Sequence, residues 1–89
     1  IAQETTDEIN SLDINRFSMG LRFTLGLDVN GKAYYWESDF IEGQPGKDTY
    51  NFLSSPQKIP NLGKVDSIYG TFMDAYAKKG LVIYIIPGK

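Results

Sequence analysis

Three carboxylate side chains lie close together in this sequence, at Glu37, Asp39 and Glu42. Paired carboxylates held in a fixed geometry can hydrolyse glycosides, and carboxylate oxygens can also bind Mg²⁺ or Ca²⁺. The surrounding residues, 37–56, contain glycine, proline and serine and have no sustained hydrophobic period, which is typical of a long loop. We therefore interpret the three carboxylates as solvated charges and predict no catalytic residue, no metal site and no cofactor.

The same loop carries aromatic side chains that could contact another protein. Exposed tyrosine and phenylalanine side chains contribute much of the binding energy at protein interfaces. The alternative is that they pack the loop onto the rest of the domain. Loops of this length in a compact domain are usually functional or mobile, so the loop is the predicted partner-binding surface. Its candidate residues are Glu37, Asp39, Phe40, Glu42, Tyr50 and Phe52.

The composition of the chain excludes several classes of function. Its 89 residues suit one small domain or a piece of a larger one, and 42% hydrophobic residues support a packed core. Without cysteine or histidine, the chain cannot form disulfides, thiolate or imidazole metal sites, or the common nucleophile pairs, so we predict that it is not an enzyme. A formal net charge of −2 disfavours nucleic acid as a partner. No apolar run approaches the roughly 18 residues of a membrane span, and the compartment stays open.

Acidic charge is concentrated at the start of the chain. Residues 1–13 include four carboxylates and neither lysine nor arginine. Because these residues also lack a convincing hydrophobic period, we predict a loose acidic arm or linker with about one helical turn. The body of the domain is expected at residues 14–86, followed by a tail at 87–89. The start at Ile1 instead of methionine indicates a processed chain or a fragment.

The first half of the body has the pattern of short strands. A first strand is predicted at residues 14–18, and a second begins at Arg22. In the second strand, Phe23, Leu25 and Leu27 alternate with smaller or polar residues, which predicts one buried face and one exposed face.

An Asn30-Gly31 pair follows this strand and predicts a hairpin turn, since such pairs supply the positive φ values that tight hairpins require. The returning strand is predicted at residues 32–36, where aromatic residues suit a pleated surface. Alternation places Tyr34 and Trp36 on one face of this strand, and Tyr35 on the other.

The sequence of the second half of the body predicts four further strands. Residues 57–60 form a short edge strand, because prolines flank it on both sides. Strands at 65–69 and 72–77 follow, then a turn at 78–80 and a last strand at 81–86. That last segment, Leu-Val-Ile-Tyr-Ile-Ile, is almost continuously hydrophobic, so we expect something to cover both of its faces. Left exposed, it would readily pair with other chains.

The two halves resemble each other at an offset of fifty residues. Gly20 corresponds to Gly70 at this offset, and the three alternating apolar positions of the second strand correspond to Met73, Ala75 and Ala77. A period near fifty with several short strands per unit is typical of a β-propeller blade. A small β-sandwich or barrel whose strand pairs merely look alike is the alternative.

The spacing of these motifs is similar to that of a known repeat. Residues 20–36, Gly-Leu-Arg-Phe-Thr-Leu-Gly-Leu-Asp-Val-Asn-Gly-Lys-Ala-Tyr-Tyr-Trp, resemble the repeat of the regulator of chromosome condensation family. In that repeat, a glycine, a strand, a Gly-containing turn and an aromatic strand ending in tryptophan come in this order. Residues 43–46, Gly-Gln-Pro-Gly, resemble its Gly-Gln-Leu-Gly, and residues 56–59, Pro-Gln-Lys-Ile, look like its closing strand. The resemblance covers about residues 14–86.

The resemblance implies an all-β fold of antiparallel β-propeller blades, with about one full blade plus part of a second in this chain. Proteins of that family form seven four-stranded blades and often serve as platforms for protein partners. A single repeat unit cannot cover its own apolar faces. We therefore expect the chain to be a segment of a longer propeller, or to associate with further chains that complete the propeller.

The leading hypothesis for function is a non-catalytic protein-interaction module, which binds a protein partner through the loops between its strands. The alternative hypothesis is a small all-β secreted or immunity-type inhibitor, whose long loop blocks a target enzyme.

Overall fold

The chain folds mainly into antiparallel β-strands, as predicted. The computed structural model describes residues 2–41 and 49–87. Its elements in chain order are helix α1 (Ala2–Ser11) and strands β1 (Ile14–Met19), β2 (Phe23–Asp28), β3 (Ala33–Ile41), β4 (Thr49–Phe52), β5 (Gln57–Lys58), β6 (Ser67–Gly70), β7 (Ala75–Lys79) and β8 (Val82–Ile86).

These strands form two small sheets. In the first sheet the order is β1-β2-β3, and both β4 and β5 pair with β3, at different points along its length. Strand β4 pairs with the second half of β3, from Ser38 to Ile41, whereas β5 pairs with Tyr34 and Tyr35 in its first half. The second sheet has the order β6-β7-β8. Each sheet therefore begins with three strands connected in sequence.

The two sheets pack against each other around a shared apolar core. The alternation predicted for β2 is confirmed on this side, since Phe23, Leu25 and Leu27 are all buried in that core. The second sheet contributes smaller side chains from β7, together with single large residues from its neighbours. The buried residues that it adds are Ile68, Ala75, Ala77 and Ile86.

A close contact between two glycines sets the distance between the sheets at one end. A Cβ atom added to Gly70 would lie 3.1 Å from the backbone nitrogen of Gly20. The amide of Gly70 also donates a hydrogen bond of 2.7 Å to Oγ of Ser18, and the amide of Leu21 donates one to the carbonyl of Phe72. The absence of side chains at both glycines lets the two backbones approach this closely.

The opposite face of the first sheet is covered by helix α1. Ile9 from the helix is buried with Ile14, Tyr34 and Trp36, and Leu12 packs against the same cluster. The helix ends where Asp13 adopts a left-handed φ of 57°, a common way to terminate a helix. The predicted loose arm at residues 1–13 was therefore wrong in its local structure, because the acidic residues around Ile9 obscured the apolar side of a helix.

The prediction that one face of β2 is exposed is also wrong. All six residues of β2 are buried, including Thr24 and Asp28. A Cβ atom added to Gly26, on the same side of β2, would lie 2.6 Å from Ile14 and 2.8 Å from Trp36, so side chains of β1 and β3 cover this side. Oγ1 of Thr24 is hydrogen bonded to Oγ of Ser38 at 2.8 Å, so the covered polar side chain has a partner.

The turn between β2 and β3 is held by a single carboxylate. Oδ1 of Asp28 accepts hydrogen bonds from the amides of Asn30 and Lys32, at 2.8 and 2.9 Å. Gly31 has a φ of 84°, which supplies the left-handed position of the turn. The predicted turn is confirmed, although the positive φ belongs to Gly31 and not to Asn30.

Candidate functional site

The predicted binding loop is largely a β-hairpin in the described residues. Strand β3 continues to Ile41, and β4 returns over Thr49–Phe52 in register with it. The amide of Leu53 donates to the carbonyl of Glu37 and extends the ladder by one bond of 2.9 Å. The loop prediction was wrong for these residues because a strand that runs out past the edge of the core needs no regular hydrophobic alternation.

The two described carboxylates of this hairpin are both solvated. Glu37 is exposed, and Oδ1 of Asp39 lies 3.7 Å from the guanidinium of Arg22 in an ion pair on the surface. Exposed pairs of this kind stabilise a protein by about 0–1 kcal/mol. Glu42 lies outside the described residues. Glu37 and Asp39 share one face of β3, as residues separated by one position do in a strand.

Phe52 is the aromatic candidate of the hairpin whose side chain the structure describes. Phe52 is half-buried, and its ring meets the ring of Trp36 edge to face, with 5.9 Å between the centroids. This contact packs the hairpin onto the first sheet, which is one of the two roles predicted for these aromatics. The backbones of Phe40 and Tyr50 pair across β3 and β4, and their side chains lie outside the described part of the chain.

A second candidate surface is the outer face of the second sheet, which points away from the shared core. Antiparallel register places Tyr69, Tyr76 and Ile85 side by side in one row, with Ile83 in the next. Tyr69 is 45% exposed and Ile85 is 74% exposed. We call these four residues the outer patch.

The turns beside the outer patch add more exposed apolar surface. Phe72 and Met73, between β6 and β7, are 67% and 69% exposed, and Leu81 in the β7–β8 turn is wholly exposed. Within the described residues, nothing covers this side of the sheet, whereas helix α1 covers the corresponding side of the first sheet. Ser67 and Lys78 lie in the row of Ile83, so this face is apolar except for these two residues. A large exposed apolar surface is typical of a protein interaction site.

The sequence prediction for the last strand was therefore half right. The hydrophobic run at residues 81–86 does form β8, but in the described structure only Ile86 is buried. The expected cover for both faces is not supplied by residues 2–41 or 49–87. The run itself was the signal that this strand needs another surface.

A cleft lies beside β8, between the two sheets. It has a volume of about 470 Å³ and is lined by β5 and the turn after it on one side, and by the end of β8 on the other. Its apolar lining includes Tyr35, Ile59, Leu62 and Tyr84. Ile59 and Leu62 also pack against the shared core, so the cleft continues that core outward.

One buried carboxylate and two tyrosines have shifted pKa values. Burial acts to raise the pKa of Asp28, but hydrogen bonds from the amides of Lys32 and Asn30, the Tyr34 hydroxyl and the charge of Lys32 outweigh it, so the pKa falls below its usual 3.8. Burial, then the bond and charge of Asp28, raise the pKa of Tyr34 above 10.0. Burial and the charge of Glu37 likewise raise the pKa of Tyr35.

The shifts of Asp28 and Tyr34 arise in one hydrogen-bonded network. The hydroxyl of Tyr34 donates to Oδ2 of Asp28 at 3.2 Å, which links β3 to the turn that precedes it. Nowhere in the described ranges do three acidic side chains come together as a group that could hold a metal ion. Helix α1, the one helix in the described part of the chain, is too short and too polar to cross a bilayer.

Comparison with models of protein families and with curated protein sequences finds no match to this chain.

Proposed function

We propose that this chain is a non-catalytic protein-interaction module, a propeller-type segment of a scaffold that associates with other protein through its second sheet. The observation that carries the proposal is the outer patch. A small sheet with one face packed and the other face largely apolar and uncovered is incompletely buried, and another polypeptide is the natural cover for it.

The propeller interpretation is supported by the order and stacking of the strands. Each sheet starts with a three-stranded antiparallel meander, and the two meanders stack face to face, as neighbouring blades do. Ala75 and Ala77 lie fifty positions after Leu25 and Leu27, and all four face the same core. The second meander lacks a fourth strand among the described residues.

Helix α1 distinguishes the two sides of the module, because it covers the first sheet and leaves the second uncovered. In a stack of repeats, terminal units carry an atypical element that covers the last apolar face. Here α1 lies on the first sheet through Ile9 and Leu12, and Oγ of Ser55 donates to Oε1 of Glu8 to tie the helix to the segment after β4. Further protein therefore adds on the side of the second sheet.

The β3–β4 hairpin is the proposed contact for a separate protein partner. It extends beyond the paired length of β2, since β2 pairs with β3 only as far as Glu37. Candidate contact residues on it are Glu37, Asp39, Phe40, Glu42, Tyr50 and Phe52. Because Phe52 also packs on Trp36, a substitution there is expected to disturb the fold as well as the contact.

Sedimentation velocity on the isolated chain tests the proposal. At rising protein concentration, the outer patch should bury itself against other copies, and the mean sedimentation coefficient should increase. The variant Tyr69→Lys, Phe72→Lys places one charge on the outer patch and one at an exposed apolar position of the β6–β7 turn, and should keep the chain monomeric.

A matched control separates this effect from a general gain of charge. Val29 lies in the β2–β3 turn and is 61% exposed, so Val29→Lys adds a charge at an exposed apolar position outside the outer patch. This variant should associate like the unmodified chain. A chain that stays monomeric and well folded at every concentration would refute the proposal.

A further inference from the structure

Strand β8 has one open edge as well as a bare face. It pairs with β7 on one side, and no described strand pairs with the other. Its five residues carry no charge and no proline, the two features by which proteins commonly protect an edge strand. Another strand can therefore form backbone hydrogen bonds with this edge.

The register identifies the backbone groups that face outward. Lys79 and Val82 flank the two-residue turn at the tip of the β7–β8 hairpin and form its closing hydrogen-bonded pair. Hydrogen-bonded and non-hydrogen-bonded pairs alternate along an antiparallel ladder. The N–H and C=O groups of Ile83 and Ile85 therefore point away from β7, toward the open edge.

The cleft beside β8 is the space that side chains of an added strand would enter. Tyr84 points to the core side of the sheet, as its register with Ala77 requires, and lines this cleft together with Ile86. About 470 Å³ lies within the range of volumes that bind ligand groups in proteins. Because the cleft continues the shared core, an apolar side chain placed in it extends that core.

The first sheet contains an example of the same arrangement. Strand β5 pairs with β3 through only two residues, and the amide of Ile59 then donates to the carbonyl of Ala33 at 3.0 Å. Ile59 itself packs against the shared core. Strand β8 holds the third position in its sheet, as β3 does, but its corresponding edge is open among the described residues.

We propose that the open edge of β8 binds an extended segment of another protein as an added strand, with an apolar side chain in the cleft. The segment is neutral or acidic at the cleft, since Lys58 is the charged residue among the described cleft residues and no described carboxylate lines it. This inference rests on the proposed interaction function and specifies the partner as an extended chain that pairs through its backbone.

A titration followed by amide NMR tests the inference with a defined probe. The probe is a seven-residue peptide of alternating threonine and valine, with blocked termini, added to the isotope-labelled chain. The amides of Ile83 and Ile85 should shift in a saturable way and exchange more slowly with solvent. The same peptide with methylated nitrogens on the edge facing β8 should not bind, because it cannot pair.

Two further changes test the backbone and the cleft separately. Ile83→Pro removes an outward N–H without removing a β7–β8 hydrogen bond, and should weaken binding about two- to tenfold, the effect of one hydrogen bond. The control Ile83→Val retains this N–H and should bind like the unmodified chain. Glycine in place of the central valine of the peptide should also weaken binding, because the cleft is then unfilled.

The outcomes distinguish this inference from the proposed function. Tyr69→Lys alters the outer patch and leaves the edge intact, so this variant should lose self-association and still bind the peptide. Equal binding of the methylated peptide, shifts confined to Tyr69 and Tyr76, or no shift at millimolar peptide would each overturn the inference. These results would leave the sedimentation test of the outer patch unaffected.

Discussion

Replacing Gly70 by alanine measures how closely the two sheets pack. The added Cβ would lie 3.1 Å from the nitrogen of Gly20 and from the carbonyl carbon of Met19, and 3.3 Å from the nitrogen of Met19. All three are backbone atoms, so no flexible side chain can move aside. The sheets must separate by a few tenths of an ångström, or the backbone of β6 must shift.

Whether Gly70→Ala raises or lowers the free energy of unfolding shows how tightly the sheets pack. At a strand position with open space around it, Gly→Ala stabilises a protein by about 0.4–1 kcal/mol, because the unfolded chain has less freedom. Overpacking a tight contact costs about 1–3 kcal/mol. The net expectation for Gly70→Ala is a loss of about 1–2 kcal/mol in the free energy of unfolding. For a domain of this size, that lowers the melting temperature by roughly 5–15 °C.

Urea and thermal unfolding followed by circular dichroism measure this change. Leu81→Ala, in the β7–β8 turn, is the control, because Leu81 is wholly exposed and its truncation should alter the free energy of unfolding by less than about 0.5 kcal/mol. Gly20→Ala should cost more than Gly70→Ala, since its Cβ would lie 2.6 Å from the carbonyl oxygen of Thr71. A Gly70→Ala variant more stable than the unmodified chain would refute the close packing of the two sheets.

Further predictions concern the buried carboxylate network and the helix. Asp28 has a folded-state pKa below 3.8, so its contribution to stability is complete above pH 3.8 and is lost as the pH falls through the folded-state value. The urea concentration at the unfolding midpoint should therefore decrease over this acidic range, and Asp28→Asn should reduce that decrease. Tyr34 has a pKa above 10.0, so its contribution is complete below pH 10.0 and is lost as the pH rises through the folded-state value; Tyr34→Phe should reduce the corresponding alkaline decrease, and an unchanged decrease in either variant would contradict the assignment. Ile9→Asp should detach α1 and shift the fluorescence of the buried Trp36 to longer wavelength, whereas an unchanged spectrum would show that the helix does not cover it.

Strict alternation was enough to predict the inner side of the first sheet. Phe23, Leu25 and Leu27 face the core because a strand places every second residue on one side, and this depends only on local sequence. The same reasoning failed on the other side of β2, where burial depends on a distant element. Ile14 of β1 and Trp36 of β3 lie over this side of β2, at 2.6 and 2.8 Å from a Cβ atom added to Gly26. Ile9 of α1 packs in the same cluster as both.

For the candidate surfaces too, the sequence predicted local features but not those that depend on distant parts of the chain. The apolar run at 81–86 predicted a strand in need of cover, but not which of its faces the chain itself covers, since that depends on where the first sheet ends. The part of β3 beyond Trp36 and strand β4 escaped prediction because Glu37, Ser38 and Asp39 are consecutive polar residues, with no hydrophobic alternation to indicate a strand. The contact between Gly20 and Gly70 was visible only as a fifty-residue spacing, with no indication that the two residues touch.

The central claim is that the second sheet is bare on its outer side until another polypeptide covers it, while the first sheet is covered by α1. Oxidative footprinting of aromatic side chains, at low and high protein concentration, measures this directly. We predict that Tyr69 and Phe72 are labelled in the dilute chain and become protected on association, while Trp36 stays unlabelled throughout. The claim would be contradicted if Tyr69 and Phe72 were unlabelled in the dilute chain, or if their labelling did not change with protein concentration.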